Sequence, residues 1–378
     1  MLIEPNVKSE RRYELDWLRA STILVLLFFH ACRIFDTQSW HVKNGETSGV
    51  FGYWLALVST WRMPLLFFIS GAGTFLFFRK SSAFGYIIDR FKRLVIPLAF
   101  SMIFLLPIQA YYEHIAEFDN YWDFYKSVAN FIPYYKGNLS LYHLWFLQYL
   151  FLCSVLIVPV LLFLRSPQSG YFKSIIIHPV VLLFVPPLIP LLARFIFLPE
   201  FQGRSLFAFH FAFFVFGILF SCNPNIRDAF FKIRRLSLVA SMIMLVLYSI
   251  TFGYPETQYF GIFNIKASHA TISVFFGWFT VLAMLGYGKR FLNYDNGWRA
   301  AINEGLYPFF ILHQTVMVVI GYYICQLSWG MAAKFWTILL LTLLLSIVIY
   351  LLFIRPFNVA RFFFGMKSRL NKNPGIVE

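Results

Sequence analysis

The strongest constraint on this chain is a series of apolar runs as long as a bilayer is thick. Trp17–Phe35 and Thr337–Ile354 are each long enough to cross a hydrocarbon core, which takes about 20 apolar residues in a helix. Water cannot reach the backbone there, so every N–H and C=O must be paired within the segment, and the helix is the spanning form this pattern supports. The charge content agrees. Only 13% of the 378 residues are charged and 59% are hydrophobic, where a soluble chain carries about 25% charged residues. Ten helices are predicted, over residues 15–35, 52–78, 94–112, 141–164, 174–194, 206–222, 236–253, 269–288, 303–325 and 335–355. The expectation is an all-α polytopic membrane protein. It is one integral membrane domain over 1–378, with a short tail at 1–12 and a basic tail at 356–378. Pro64, Pro97, Pro107, Pro186, Pro187, Pro190 and Pro308 fall inside these runs and predict kinks. No internal repeat is visible, and no stretch outside the runs is long enough to fold alone.

A formal net charge of +15 would in a soluble chain raise nucleic acid as a partner. Here its source is the bias of Lys and Arg toward cytoplasmic loops. Of the 32 basic residues, 22 lie in one alternating set of loops and 8 in the other, with Arg19 and Arg62 inside helices. This split places both termini in the cytoplasm. The longest external loop, Glu113–Ser140, is acidic and aromatic, with Glu113, Glu117, Asp119, Trp122, Asp123, Tyr134 and Tyr135. It is a candidate lid over an external mouth. Met1–Arg12 is polar and the run after it has full spanning length, so the first helix reads as a retained anchor and not a cleaved signal. Cys32, Cys153, Cys222 and Cys325 have no CxxC spacing and read as small buried residues.

Charge inside a spanning helix costs about 2.5–3.5 kcal/mol per residue on insertion scales, so each case is a functional candidate. Arg19 and His30 stand eleven residues apart in the first helix. That is three turns, so they share a face about 16 Å apart along the axis. Arg62, on the returning second helix, falls at about the depth of His30. Imidazole is the side chain suited to take a proton from a hydroxyl near neutral pH. Alternatively, His30 only bridges two helices by hydrogen bonds. Arg90 and Arg93 open the third helix on the cytoplasmic side, spaced to fork a phosphate or simply to anchor the helix. Trp40, His41, His143, Trp145, His210 and His269 gather at the external face. Aromatics beside polar donors suit a sugar ring, and they also suit an interfacial belt. No two of these histidines have the i, i+4 spacing of a helical ligand pair, and no metal is expected. His313 and Gln314 lie near mid-depth in the ninth helix. Ser70 and Gly71 allow either close helix packing or a narrow ligand tunnel.

Several of these segments, in order, resemble the acyltransferase-3 family of bacterial membrane enzymes, and within it the glucan-biosynthesis protein C branch. They are Leu15-Asp16-Trp17-Leu18-Arg19 with His30, Trp40-His41-Val42, and Arg62-Met63 followed by Phe67-Phe68-Ile69-Ser70-Gly71. After them come Arg90 to Arg93 with Leu94 and Pro97, His143-Leu144-Trp145-Phe146-Leu147, and Tyr307 to Gln314. The likeness runs from about residue 13 to 355, while 170–300 matches only in hydropathy. It implies a bacterial inner-membrane enzyme that takes an acyl group from cytoplasmic acyl-CoA, as co-substrate, to a hydroxyl of an extracytoplasmic glycan. It implies His30 as the essential histidine, Arg19 as its basic companion, and Arg90 and Arg93 as the cytoplasmic RxxR. The branch is associated with succinylation of periplasmic glucans, and many relatives transfer acetyl.

The resulting expectation is a membrane-embedded O-acyltransferase. His30 serves as base, and Arg62 or His313 as donor to the oxyanion. Arg19, Arg90, Arg93, Ser70 and Gly71 contact the donor. Trp40, His41, His143 and Trp145 contact a carbohydrate acceptor. The lipid bilayer is the other partner, and the sequence leaves the oligomeric state open. The alternative is a secondary transporter or flippase for an anionic or sugar substrate, which mid-membrane Arg and His with Pro-broken helices also fit.

Overall fold

The computed structural model describes residues 12–128, 140–170, 174–196, 202–253, 259–260 and 263–369. Tyr134 and Tyr135 of the expected lid, and tail segments 1–11 and 370–378, lie outside the described residues. Within them the chain is helical apart from one two-residue antiparallel pairing, β1 (Tyr259–Phe260) with β2 (Phe263–Asn264). The helices are α1 (Tyr13–Phe35), α2 (Gly49–Ser59), α3 (Arg62–Phe78), α4 (Ala83–Arg90), α5 (Ile96–Phe104), α6 (Leu106–Glu113) and α7 (Tyr121–Val128). Then come α8 (Trp145–Leu156), α9 (Val158–Arg165), α10 (Pro179–Phe184), α11 (Leu188–Ile196), α12 (Gln202–Cys222) and α13 (Pro224–Lys232). The last are α14 (Arg234–Thr251), α15 (Ile265–Phe291), α16 (Gly297–Cys325), α17 (Met331–Ile349) and α18 (Asn358–Phe363).

Among the described residues, seven segments are long and apolar enough to span a membrane, or nine if each of two bent pairs is one crossing, where the sequence suggested ten. The shortfall falls on the predicted fifth helix. There the described residues hold an apolar helix over Pro179–Leu192, with Pro186 and Pro187 between α10 and α11.

Proline shapes the other helices too. The predicted 52–78 helix forms as α2 and α3, broken at Thr60-Trp61. Pro64 has no N–H to return to the Thr60 carbonyl four residues back. That carbonyl instead points at α15, where a Cβ on Gly277 would lie 2.3 Å from it. Between α4 and α5 the chain takes a π-turn over Phe91–Val95. Pro97 follows, so the Arg93 carbonyl also lacks its usual donor, and the Tyr307 hydroxyl of α16 supplies one at 2.5 Å. A proline-freed carbonyl thus ties the Arg90–Arg93 segment to α16.

α3 and α12 cross at van der Waals contact through reciprocal glycines. A Cβ on Gly71 would meet the Phe214 carbonyl at 2.0 Å, and one on Gly217 the Phe68 carbonyl at 1.9 Å. Lipid offers helices little hydrophobic reason to associate, so such close approach is the principal source of attraction. Gly71 therefore serves helix packing. The tunnel role weighed for it is not what its surroundings provide.

α1 is the central helix, packed against α2, α3, α15, α16 and α17. Its register with α16 is set near their first turns, where Arg299 Nη1 donates to Asp16 Oδ2 at 2.7 Å. Arg299 is also held by Asp295 at 2.7 Å. From that ion pair, His30 is fourteen residues along α1 and His313 fourteen along α16. At 1.5 Å per residue both stand about 21 Å away, at the same height.

Candidate active site

That equal height brings three imidazoles together. The ring centres of His30 and His313 are 5.2 Å apart. His143, in the short 3-10 turn Tyr142–Leu144 before α8, sits 5.3 Å from His313 and 6.1 Å from His30. Arg62, at the start of α3, lays its guanidinium 3.7 Å from the centre of the Phe29 ring. All four side chains are buried.

Their hydrogen bonds are incomplete in a consistent way. A carbonyl can only accept, so the His313 Nδ1 that meets the Phe310 carbonyl at 2.8 Å carries a proton. Its Nε2 is then a bare lone pair, buried and unpartnered. His143 donates from Nε2 to the Ile311 carbonyl at 3.2 Å, leaving its Nδ1 as the bare, buried, unpartnered nitrogen. His30 Nδ1 is buried without a partner as well, and Nε2 is the nitrogen left open to the cavity. Nε and Nη1 of Arg62 have no acceptor. Native proteins pair nearly all such buried groups, so this concentration of spare donors and acceptors marks a place built to receive a polar ligand.

His30, His143 and Arg62 line a cavity of about 500 Å³, with His313 packed against His30 outside the lining. Its walls include Leu26, Phe29 and His30 of α1, Arg62 and Met63 of α3, Phe310 and Gln314 of α16, and Trp40, His41, His143 and Trp145. The acceptor-side residues read from the sequence are therefore all at one cavity. Trp40 lies 6.1 Å from His30 ring to ring, and Trp145 stacks on the buried Phe67 at 6.3 Å. His210 packs behind Trp145 at 5.3 Å and is not in the lining. His269 pairs with Thr251 at 2.8 Å, on α14 and α15.

Sequence reasoning missed a polar chain along the rim. His41 Nδ1 meets Glu113 Oε2 at 2.7 Å, and its Nε2 meets Gln314 Nε2 at 3.2 Å. Gln314 also donates to Gln109 at 3.1 Å, and Gln109 to Thr315 at 2.6 Å. Tyr142 packs its ring 4.5 Å from that of His41 and holds φ at +41°, a left-handed conformation uncommon for a bulky residue and typical of functional loops. Gln109 carried a usable signal, a lone amide in an apolar run. Tyr142 carried none, since nothing in its neighbours announces positive φ.

The expected donor residues divide. Arg19 is half-buried, outside the cavity lining, within electrostatic reach of Asp16 and Arg90. Arg90 reaches Thr74 of α3 at 3.3 Å and lies over Tyr86 at 5.1 Å, with its Nε buried and unpartnered. Arg93 turns the other way, to Asp89 at 2.9 Å. Arg19 and Arg90 therefore gather below the cavity, while Arg93 is partly neutralised. Asn303 of α16, four residues past Arg299, presents a buried Oδ1 with no partner near the level of Arg19. Ser70 and Gly71 are outside the cavity lining. Among the described residues, no three His, Cys, Asp or Glu side chains are placed to hold a metal.

A bundle of membrane-length helices around a partly open cavity, with an open imidazole beside an unneutralised guanidinium, defines a polytopic membrane protein with the makings of a transferase site. The chain belongs to the acyltransferase domain family Acyl_transf_3, whose model matches residues 12–351. It is similar to glucans biosynthesis protein C of Escherichia coli O81 (strain ED1a), 24% identical over 350 residues, covering 84% of this chain and 85% of that one. The same protein of Escherichia coli K12 is also 24% identical over 350 residues, with the same coverage. That of Salmonella paratyphi B is 22% identical over 340 residues, covering 84% and 85%. No solved structure matches the chain.

Proposed function

We propose that this acyltransferase moves an acyl group from cytoplasmic acyl-CoA to a hydroxyl of a glycan on the other side of the bacterial inner membrane. The observation that carries the reading is His30 Nε2, open to the cavity beside the unpartnered N–H groups of Arg62. In the proposed reaction the acceptor hydroxyl attacks the thioester carbonyl as its proton passes to His30 Nε2. The C–O bond forms, the carbonyl oxygen becomes an oxyanion, and the Arg62 N–H groups stabilise it. Collapse breaks the C–S bond, and the leaving thiolate takes the proton back from His30, so the base is regenerated. His313 does not share the oxyanion role weighed for it, because its one proton is engaged by the Phe310 carbonyl.

Arg19, Arg90 and Asn303 are the proposed donor contacts, near the cytoplasmic end. The pantetheine arm would bridge from there to His30, eleven residues up α1. Trp40, His41, Tyr142 and Trp145 would hold the sugar, with Glu113 and Gln314 accepting and donating to its hydroxyls. The names of the relatives support a glucan as that acceptor. Succinyl and acetyl are the candidate acyl groups.

Both termini lie in the cytoplasm on this reading. A reporter fused after Glu378 is expected to read cytoplasmic and one inserted near Asp119 external; a shared side would reverse the assignment of donor and acceptor ends. Calorimetry of the purified protein tests the donor. Replacing Arg90 and Arg93 together by Gln is expected to weaken acyl-CoA binding, with each lost charge-assisted hydrogen bond costing about 1.5–3 kcal/mol. Arg90 should account for most of it, since Arg93 already has Asp89. No binding of acetyl- or succinyl-CoA by the parent protein would favour a transporter.

A further inference from the structure

A histidine that works as a base through Nε2 must carry its resting proton on Nδ1. In the Ser-His-Asp arrangement a buried carboxylate enforces that tautomer by accepting from Nδ1–H. Among the described residues, no acidic side chain performs this service. Glu113, the carboxylate in the cavity lining, is paired with His41. The groups around His30 are Arg62 of α3, His143 of the turn before α8, His313 of α16, and Trp40 and His41 of the loop after α1.

Two of these are imidazoles whose tautomers are already fixed by backbone carbonyls. His313 has spent its proton on Phe310 and His143 on Ile311. Each is left with a bare, buried, unpartnered nitrogen. Two lone pairs thus await one donor, and the buried unpartnered nitrogen of His30 is Nδ1. His313 is the nearer ring, at 5.2 Å between centres and 70° between planes, against 6.1 Å for His143. Each nitrogen lies off its ring centre, so ring centres 5.2 Å apart leave room for one hydrogen bond when His30 Nδ1 and His313 Nε2 face each other.

We propose that His313 is the positioning residue for His30: its Nε2, kept bare by the Phe310 carbonyl, accepts the His30 Nδ1–H and holds the ring in the tautomer whose Nε2 faces the cavity. The pair does the work of a histidine–carboxylate couple without adding a negative charge inside the membrane. When His30 takes the acceptor's proton, its Nδ1–H···Nε2 bond becomes charge-assisted and stronger, so the contact favours the transition state over the resting state. The ion pair between Asp16 and Arg299 is what sets the two rings at one height. The inference rests on His30 being the base.

The test is nitrogen NMR of the full-length protein labelled with ¹⁵N-histidine, together with steady-state kinetics. The parent protein is expected to show His30, identified by the signal missing in His30→Ala, protonated at Nδ1 and bare at Nε2. A His30 protonated at Nε2 would overturn the proposal. In His313→Phe, which keeps an aromatic ring but offers no acceptor, that tautomer preference should be lost. Its kcat should fall about 10²-fold, KM for donor and acceptor should hold, and the acid limb of the kcat profile should move to lower pH. His313→Gln, whose Oε1 can accept, should recover part of kcat. Unchanged His30 signals and kcat in His313→Phe would overturn the proposal, as would the same effects arising only in His143→Phe. Full activity in His30→Ala would remove the base itself, an outcome separate from the tautomer measured in the parent protein.

Discussion

His30→Ala is expected to reduce acyl transfer by about 10²–10⁴-fold, the usual contribution of a positioned general base. Thermal unfolding in detergent should change little. The ring stands against a cavity of about 500 Å³, and the one partner proposed for it, His313 Nε2, already lacks a hydrogen bond in the resting structure, so its removal enlarges an existing space and orphans no further group. The pair of measurements separates chemistry from folding. A His30→Ala protein that melts normally and transfers at the parent rate would sink the assignment of base. One that loses activity by failing to fold would make His30 a packing residue.

Arg62→Met is expected to move activity and stability in opposite directions. A guanidinium that is 7% exposed, with two nitrogens unpartnered and no ion pair among the described residues, is costly to keep in the resting protein. Its contact with Phe29 offsets part of that cost, since a desolvated cation–π pair contributes about 2 kcal/mol. Replacing it with an apolar side chain of similar length removes the desolvation penalty. The melting temperature should stay level or rise. The oxyanion, however, loses its donor, and kcat should fall about 10²–10³-fold with KM little changed. Arg62→Lys keeps the charge but not the planar fork, and should recover only a small part. A large drop in melting temperature for Arg62→Met would mean that Arg62 is structural. That trade of stability for function is common at strained or unsatisfied sites.

Much of the site was legible before the structure. Charge and imidazole in spanning helices are rare enough that Arg19, His30, Arg62 and His313 stood out by their chemistry alone. His30 and Arg62 line one cavity with Trp40, His41, His143 and Trp145, and His313 packs against His30 just outside the lining. The RxxR pair is different. Its spacing suggested a fork, but Asp89 four residues before Arg93 captures one arm, an i, i+4 ion pair that was visible in the sequence and not weighed. Gly71 was equally open from its neighbours. Only the Phe214 carbonyl beneath it decides for packing, because a close approach is a property of two helices and neither carries it alone.

The sequence by itself determined that the chain lives in a bilayer as a set of helices, since apolar length and backbone pairing leave no other form. It also pointed to the breaks near Pro64, Pro97, Pro107 and Pro186-Pro187, because proline removes a specific N–H, but not to the bends at Ile157 and Asn223, and Pro308 stands inside an unbroken α16. It could not determine heights or tautomers. His30 and His313 are 283 residues apart, and what levels them is an ion pair between Asp16 and Arg299, each fourteen residues short of its histidine. Which nitrogen holds a proton depends on the backbone carbonyl against it: for His313 that is Phe310 of its own helix, but for His143 it is Ile311 of α16, in place only once the turn before α8 has packed against α16. Side-chain identity is local, but register and hydrogen-bond partnership are relations between helices, and so only the tertiary structure decided them.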